Sequence, residues 1–355
     1  MSTPSSPNPK GTPVRTSRLL AIGAAAALAV GLVACSSDAP ESTASVGGNP
    51  ASDDAFPVTV EHAFGETTID KKPERVATIA WANHEVPLAL GIVPVGMSKA
   101  TWGDDDDNGV LPWVEEKLEE LGADTPVLFD ESDGIDYEAV ADTEPDVILA
   151  SYSGLTQEEY ETLSKIAPVV AYPEVAWGTS VDDMIEMNST ALGLKEEGEA
   201  LISELDAEAD AALEANSALR DKKVLFAYLD PTDLSQIGYY TATDTRPGFL
   251  HDDLGLPFPS LVEDSVGSEK FDLTVSAEEA AKFDDVDVFV AYGDDTLIPT
   301  LQADPLLSKI PAIAEGRIVI LPNATPIAAS ANPSPLSIPW GLSDYLAMLA
   351  APLAE

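Results

Sequence analysis

Cysteine occurs once in these 355 residues, histidine three times, and Lys and Arg together only 18 times against 62 Asp and Glu. One cysteine leaves no disulfide framework and no multi-cysteine metal site. Three scattered histidines offer no ligand cluster, and no metal site is assigned. A formal charge of −44 makes nucleic acid and anionic lipid faces unfit partners, because phosphate contacts need clustered cations. No G-x-S-x-G lies in a Ser-His-Asp order, and no G-x-G-x-x-G follows the first strand, so the chain is read as a non-enzyme. Carboxylate pairs arise from composition alone and mark no catalytic centre. The apolar run Leu19–Ala34 is too short and too rich in alanine for a comfortable membrane span.

That run follows Lys10, Arg15 and Arg18, and residues 1–34 hold no Asp or Glu. This is the charged and apolar order of a signal peptide. Its end, Leu32-Val33-Ala34-Cys35, resembles a bacterial lipobox, in which the cysteine is lipidated and becomes the first mature residue. The reading is a protein held by acyl chains on Cys35 at the extracytoplasmic face of the cell membrane, touching the membrane through that anchor only. Residues 35–57 are small, polar and rich in Pro and Gly, as a flexible tether would be.

From residue 75 short apolar runs alternate with amphipathic stretches. Strands are expected at Arg75–Ala80, Val93–Met97, Val127–Phe129, Asp146–Ala150 and Val169–Tyr172, with helices at Glu85–Leu90, Leu111–Leu121, Tyr137–Ala141 and Gln157–Ile166. Continuous apolar strands point to an α/β sheet covered on both faces. The rhythm restarts at Lys223–Tyr228, Asp287–Tyr292 and Arg317–Leu321. Between the two series, residues 195–221 repeat Leu201, Leu205, Ala209, Ala212, Ala215 and Leu219 at helical steps without proline, a rod of roughly 36 Å at 1.5 Å per residue. The expected fold is α/β, two Rossmann-like lobes (residues 58–194 and 222–355) joined by one long helix, with a ligand cleft between them. A stiff connection of that kind permits small rocking and resists wide opening.

In this order the segments resemble the iron-siderophore and vitamin B12 class of ABC-transporter substrate-binding proteins. The resemblance rests on Arg75–Trp81 with Glu85 and Leu90–Gly96; Glu138 ahead of Glu144–Leu149; Leu163–Val170; Gly248–Leu250 with Asp253–Leu256; Ser276–Glu278 ahead of Val286–Phe289; and Leu306 through Gly316–Ile318. It implies a ferric siderophore as ligand without a covalent cofactor, and a permease dimer driven by a cytoplasmic ATPase as partner. It also implies that Glu138 and Glu278, one per lobe, dock on permease arginines. Two carboxylates held at a fixed spacing suit bidentate pairing with arginine.

Ligands of open α/β sheets lie beyond the carboxyl ends of the strands. The residues there are Trp81, Lys99, Trp102, Tyr152 and Trp177 in the first lobe, and Tyr228, Tyr239, Tyr240, Arg246, Tyr292 and Trp340 in the second. Only Lys99 and Arg246 could meet an anion, too few for a catecholate complex of about three negative charges. A near-neutral ferric hydroxamate suits aromatic walls better. Haem, with His84 as axial ligand, and cobalamin stand as alternatives. Free ferric ion is set aside, since its sites are built from tyrosines with His or carboxylates in a different fold. Finally, Asp104, Asp106, Asn108 and Glu115 match the written pattern of a twelve-residue calcium loop. A strand leads into it and Pro112 fills its ninth position, so it is read as a solvated acidic loop near the cleft mouth. The rival it leaves open is a calcium-binding surface adhesin.

Overall fold

The computed structural model describes residues 55–354; the expected signal peptide, Cys35 and most of the expected tether lie outside them. An antiparallel hairpin, β1 (Val58–His62) and β2 (Gly65–Ile69), opens the described chain. Its alternate residues Val60, His62, Thr67 and Ile69 turn inward, which is the period of a half-buried strand.

The first lobe is built on five parallel strands: β3 (Val76–Thr78), β4 (Gly96–Ser98), β5 (Val127–Phe129), β6 (Val147–Leu149) and β7 (Val169–Val170). Their order is β5-β4-β3-β6-β7. The second lobe has β8 (Val224–Tyr228), β9 (Gln236–Tyr240), β10 (Asp272–Ser276), β11 (Val288–Gly293) and β12 (Ile318–Pro322), ordered β10-β9-β8-β11-β12. Both sheets therefore share one arrangement, in which the first strand sits between the second and the fourth. The strand order reverses across the sheet at β3/β6 and at β8/β11, and each reversal leaves a crevice at the strand ends. An equivalent lock recurs in both lobes. Asp146 accepts the backbone N–H groups of Glu74 and Arg75 at 2.9 Å, and Asp287 accepts that of Lys223 at 2.9 Å. Each carboxylate satisfies donors at the entrance to a central strand.

The second lobe is a mixed sheet. β9 runs antiparallel to both β8 and β10, and neither β9 nor β10 was among the expected strands. The short link from β8 to β9 holds no helix, so only a hairpin can join them. The ring of Tyr228 lies over Gly238, where an added Cβ would fall 2.2 Å from it.

The spine is a helix at Lys195–Ala215 followed by a 3-10 turn at Ser217–Leu219. Its buried face is Leu205, Ala209, Ala212 and Leu213; of the stripe read from the sequence Leu205, Ala209, Ala212 and Leu219 are buried, Leu201 is half-buried and Ala215 is exposed. It packs on the helix Val181–Ala191 on one side and on the helix Ser337–Ala350 on the other. The C-terminal segment does not stay with its own lobe. Ala329 packs among Leu88, Met97 and Val114 of the first lobe, and the Trp340 ring meets Trp113 at a tilt, 5.1 Å between centroids. The lobes are thus joined by one strand of chain and by a tail folded back across the junction. No helix among the described residues is long and apolar enough to cross a membrane.

The spine approaches the helix Val181–Ala191 most closely at Gly198. A Cβ there would lie 2.1 Å from Ser189 Oγ and 2.7 Å from Ser189 Cβ. Gly198→Ala is expected to destabilise the fold by about 1–3 kcal/mol despite alanine's better helix propensity. A thermal melt of the variant checks it, and an unchanged or higher melting temperature contradicts the packing.

Candidate functional site

Asparagine 83 sets the first-lobe wall of the cleft. Its Nδ2 donates to the carbonyls of Ile79 (2.8 Å) and Tyr152 (2.9 Å), and its Oδ1 accepts from the Tyr152 N–H and the Ser151 hydroxyl, both at 3.1 Å. One buried side chain thereby fastens the loop after β3, carrying Trp81, to the loop after β6, carrying Tyr152. The Ala80 N–H donates to the Glu131 carboxylate at 3.0 Å, and Ala80 and Ala82 flank Trp81 at positive φ of 60° and 61°. Strained backbone of this kind persists only where its surroundings fix it. Trp177 sits at φ 61° with its indole over Gly154, where a Cβ would meet Nε1 at 2.2 Å. It meets the Tyr152 ring edge to face at 5.4 Å.

The second-lobe wall centres on Arg246 in the first turn of the helix Thr245–Asp252. Asp244 caps that helix by accepting the Arg246 N–H at 2.9 Å, and its other oxygen pairs with Nη1 at 2.7 Å. Nε donates to the Tyr292 hydroxyl at 3.2 Å, and the guanidinium lies 4.1 Å over the Tyr240 ring. The side chains of Arg246 and Asp244 are 16% and 2% exposed. Burial works against the guanidinium's charge, but Asp244 and the surrounding phenols outweigh it and hold its pKa well above the ordinary value. Burial pushes Asp244 up, with Arg246 pulling against it.

These walls enclose a cleft of about 230 Å³ lined by Trp81, Tyr152, Trp177, Asp244, Arg246, Phe271 and Asn332. Of the residues expected at strand ends, Trp81, Tyr152, Trp177 and Arg246 are brought together in this lining. Tyr292 lies behind Arg246, and Trp102 meets Tyr292 edge to face across the lobe junction at 5.2 Å. Tyr228 donates its hydroxyl to Asp272 at 2.7 Å and faces Tyr240 at 5.7 Å. Lys99 lines a side pocket of about 20 Å³ and pairs with Asp130 at 3.2 Å.

Lys99, Trp102, Tyr228, Tyr240 and Tyr292 thus stand beside or behind that lining, and two further expected residues point away from it. Tyr239 is buried on the opposite face of its sheet among Leu261, Val262 and Phe283, because neighbours in a strand point to opposite sides and Tyr240 takes the cleft side. Trp340 packs on Trp113, on the face of the C-terminal helix turned toward the first lobe. His84 is buried against the 20 Å³ side pocket, its pKa pushed down to about 4 by burial. A space of that size holds about one water molecule, and no macrocycle can approach the imidazole through it. Asn83, Asp244, Phe271 and Asn332 were missed. For Asp244 a signal existed: an aspartate immediately before Thr-Arg-Pro-Gly is a helix cap.

Elsewhere, Glu138 and Glu278 are both exposed in first turns, of the helix Tyr137–Asp142 and of the 3-10 stretch Ala277–Phe283. Glu279 is bound to Lys282 at 2.8 Å. In the acidic loop, Asp104 accepts the N–H groups of Asp106 (3.1 Å) and Gly109 (2.6 Å), Asn108 accepts that of Val110 (2.8 Å), and the Asn108 amide donates to Glu115. A second acidic group, Asp182, Asp206 and Asp253, gathers where the first lobe, the spine and the second lobe meet.

Three acids hold their protons unusually firmly. Burial pushes Glu85 and Glu131 up to about 7, and burial with the neighbouring Asp182 and Asp206 raises Asp253 to about 7. Their ordinary values are 4.5 for Glu and 3.8 for Asp, so between about pH 4 and 7 the folded chain binds more protons than the unfolded one. Stability from these groups is complete below that window and is lost as pH rises through it. The melting temperature should fall by on the order of 5 °C from pH 5 to pH 7.5. Calorimetry across that range checks the sign, and Glu85→Gln should flatten the slope.

Comparison with known proteins bears on the family and the fold. Residues 76–325 match the model of the family described as periplasmic binding protein. The ferrichrome-bound crystal structure of PiaA from Streptococcus pneumoniae TIGR4 is 48% identical, covers 84% of this chain and 99% of its own, and superposes with a TM-score of 0.81. The probable siderophore-binding lipoprotein YfiY of Bacillus subtilis (strain 168) is 26% identical over 66% of this chain and 67% of its own length. Staphylococcus aureus SirA with staphyloferrin B shares the fold at 19% identity and a TM-score of 0.59, covering 83% of this chain and 96% of its own. The chain belongs to the periplasmic binding protein family.

Proposed function

We propose that the protein is the substrate-binding component of an ABC importer, capturing a ferric siderophore of the hydroxamate type between its lobes and delivering it to a permease. The observation that carries this reading is the cleft lining: four aromatic rings, one amide and a single guanidinium already neutralised by Asp244. Aromatic faces and one fixed donor fork suit the apolar rim and oxygen-rich centre of a near-neutral ferric trihydroxamate. PiaA, the 48% identical relative, was crystallised with ferrichrome, and YfiY is named for siderophore binding. The volume of about 230 Å³ is below that of pockets which swallow a drug-sized ligand. It fits a mode in which the iron-bearing face is gripped and the periphery stays in solvent. The tight side pocket beside His84 argues against haem.

Delivery is assigned to Glu138 and Glu278, whose exposure on separate lobes leaves both free to meet permease arginines. Hydrolysis of ATP by cytoplasmic partner subunits then drives uptake. Acyl chains on Cys35 would keep the receptor at the extracytoplasmic membrane face, with residues 36–57 as the leash.

Titration of intrinsic tryptophan fluorescence with ferrichrome, a ferric tricatecholate, haem and cobalamin tests the reading, since Trp81 and Trp177 line the cleft. Quenching by ferrichrome at micromolar concentration is expected; absence of a response to all four defeats it. Arg246→Leu should weaken ferrichrome binding about 10- to 100-fold, the range for a lost hydrogen bond to a charged group. Glu138→Ala with Glu278→Ala should leave that affinity unchanged and abolish uptake by whole cells. Thermal stabilisation by calcium alone, without ferrichrome binding, would instead favour the adhesin.

A further inference from the structure

The guanidinium in the cleft is not a free positive charge. Asp244 holds Nη1 at 2.7 Å and is itself 2% exposed, so its charge cannot turn away into solvent. A second carboxylate, Asp272, stands nearby on β10, fixed at 2.7 Å by the Tyr228 hydroxyl, with the Tyr228 ring 5.7 Å from Tyr240 and Tyr240 under the guanidinium. Lys99, the second cation that the sequence placed at a strand end, is paired with Asp130 outside the cleft. Among the described residues the cleft lining thus carries one cation and one anion, with a further anion behind it.

We propose that Asp244 sets the ligand's charge: it cancels Arg246 so that the cleft accepts neutral and monocationic ferric complexes and rejects polyanionic ones. This rests on the siderophore reading and narrows it. A guanidinium without a counter-ion would attract every anionic chelate, and the selection would be lost. With the counter-ion fixed 2.7 Å away, an approaching polyanion meets a dipole and not a monopole. Its partial dehydration on entering the cleft is then left uncompensated. The orienting role of the pair survives, since Arg246 still presents its remaining donors to a hydroxamate oxygen.

The test is a charge series at fixed ionic strength: ferrioxamine B (one positive charge), ferrichrome (neutral) and a ferric tricatecholate (three negative charges), titrated against the wild type, Asp244→Asn and Asp244→Glu. The wild type should bind the first two well above the third. Asp244→Asn keeps an acceptor for the helix cap, and should shift the ratio of tricatecholate to ferrichrome affinity by about 30-fold toward the anion. Asp244→Glu should restore the original order. If Asp244→Asn does not fold, Asp272→Asn carries the test, with a smaller shift in the same direction. A wild type that binds the tricatecholate as tightly as ferrichrome overturns the proposal. So does an Asn variant that weakens all three complexes by one common factor. Failure of the wild type to bind any of the three defeats the siderophore reading itself, a separate outcome.

Discussion

One buried carboxylate ties the first lobe to the C-terminal helix. Glu85 begins the first helix of the first lobe, is fully buried, and accepts the Trp113 indole N–H at 2.8 Å. Its second oxygen accepts the backbone N–H of Leu336 at 2.9 Å, a contact spanning 251 residues. Leu336 and Ser337 begin the C-terminal helix, so the carboxylate sits at that helix's positive end and satisfies donors that no residue of the helix can. Beside it the Asn332 amide donates to the Tyr152 hydroxyl at 3.2 Å. This tie adds to the packing of Ala329 and Trp340 on the first lobe and holds the segment that carries Asn332 to the cleft.

The tie changes what the spine means. A single connecting helix by itself permits rocking, and Lys195–Ala215 is the helix that links the two sheets. The C-terminal helix, however, packs on that spine while its N-terminus is pinned to the first lobe. The hydrophobic cluster that includes Val86 and Ile185 of one lobe also includes Phe226, Phe249 and Val290 of the other. Rocking must therefore shear packed side chains, which interiors of near-crystalline density resist. Ligand capture by rearrangement of the rim, where Phe271 is 37% exposed, demands much less.

Much of this was readable from the sequence. Continuous apolar runs such as Val147–Leu149 and Val224–Tyr228 mark strands covered on both faces, and their positions matched within a few residues. The spine's stripe was equally clear, because a helical period over five turns has few competing explanations. β9 and β10 were not legible: Gln236–Tyr240 contains a glycine, and Asp272–Ser276 is only partly buried, so neither shows an apolar run. Missing β9 led directly to the wrong facing of Tyr239. Trp81 and Tyr152 were found because they follow strands. Asn332 and Glu85 were not assigned roles, because their partners lie far away in sequence and no local pattern encodes a contact of that separation.

The charge distribution follows from the same separation of interior from surface. A chain of net charge −44 cannot bury carboxylates casually, yet Glu85, Glu131 and Asp244 are enclosed or nearly so. Each is held inside by a specific set of donors. Glu85 caps a distant helix, Glu131 fixes the strained turn before Trp81, and Asp244 holds the guanidinium. The remaining acids spread over the surface, where solvent screens them within about 8 Å at physiological salt. The acidity of the molecule as a whole therefore says little about what enters the cleft. The local balance of Arg246 against Asp244 decides that, since short range and low dielectric give one fixed pair more influence on a bound ligand than many screened charges outside.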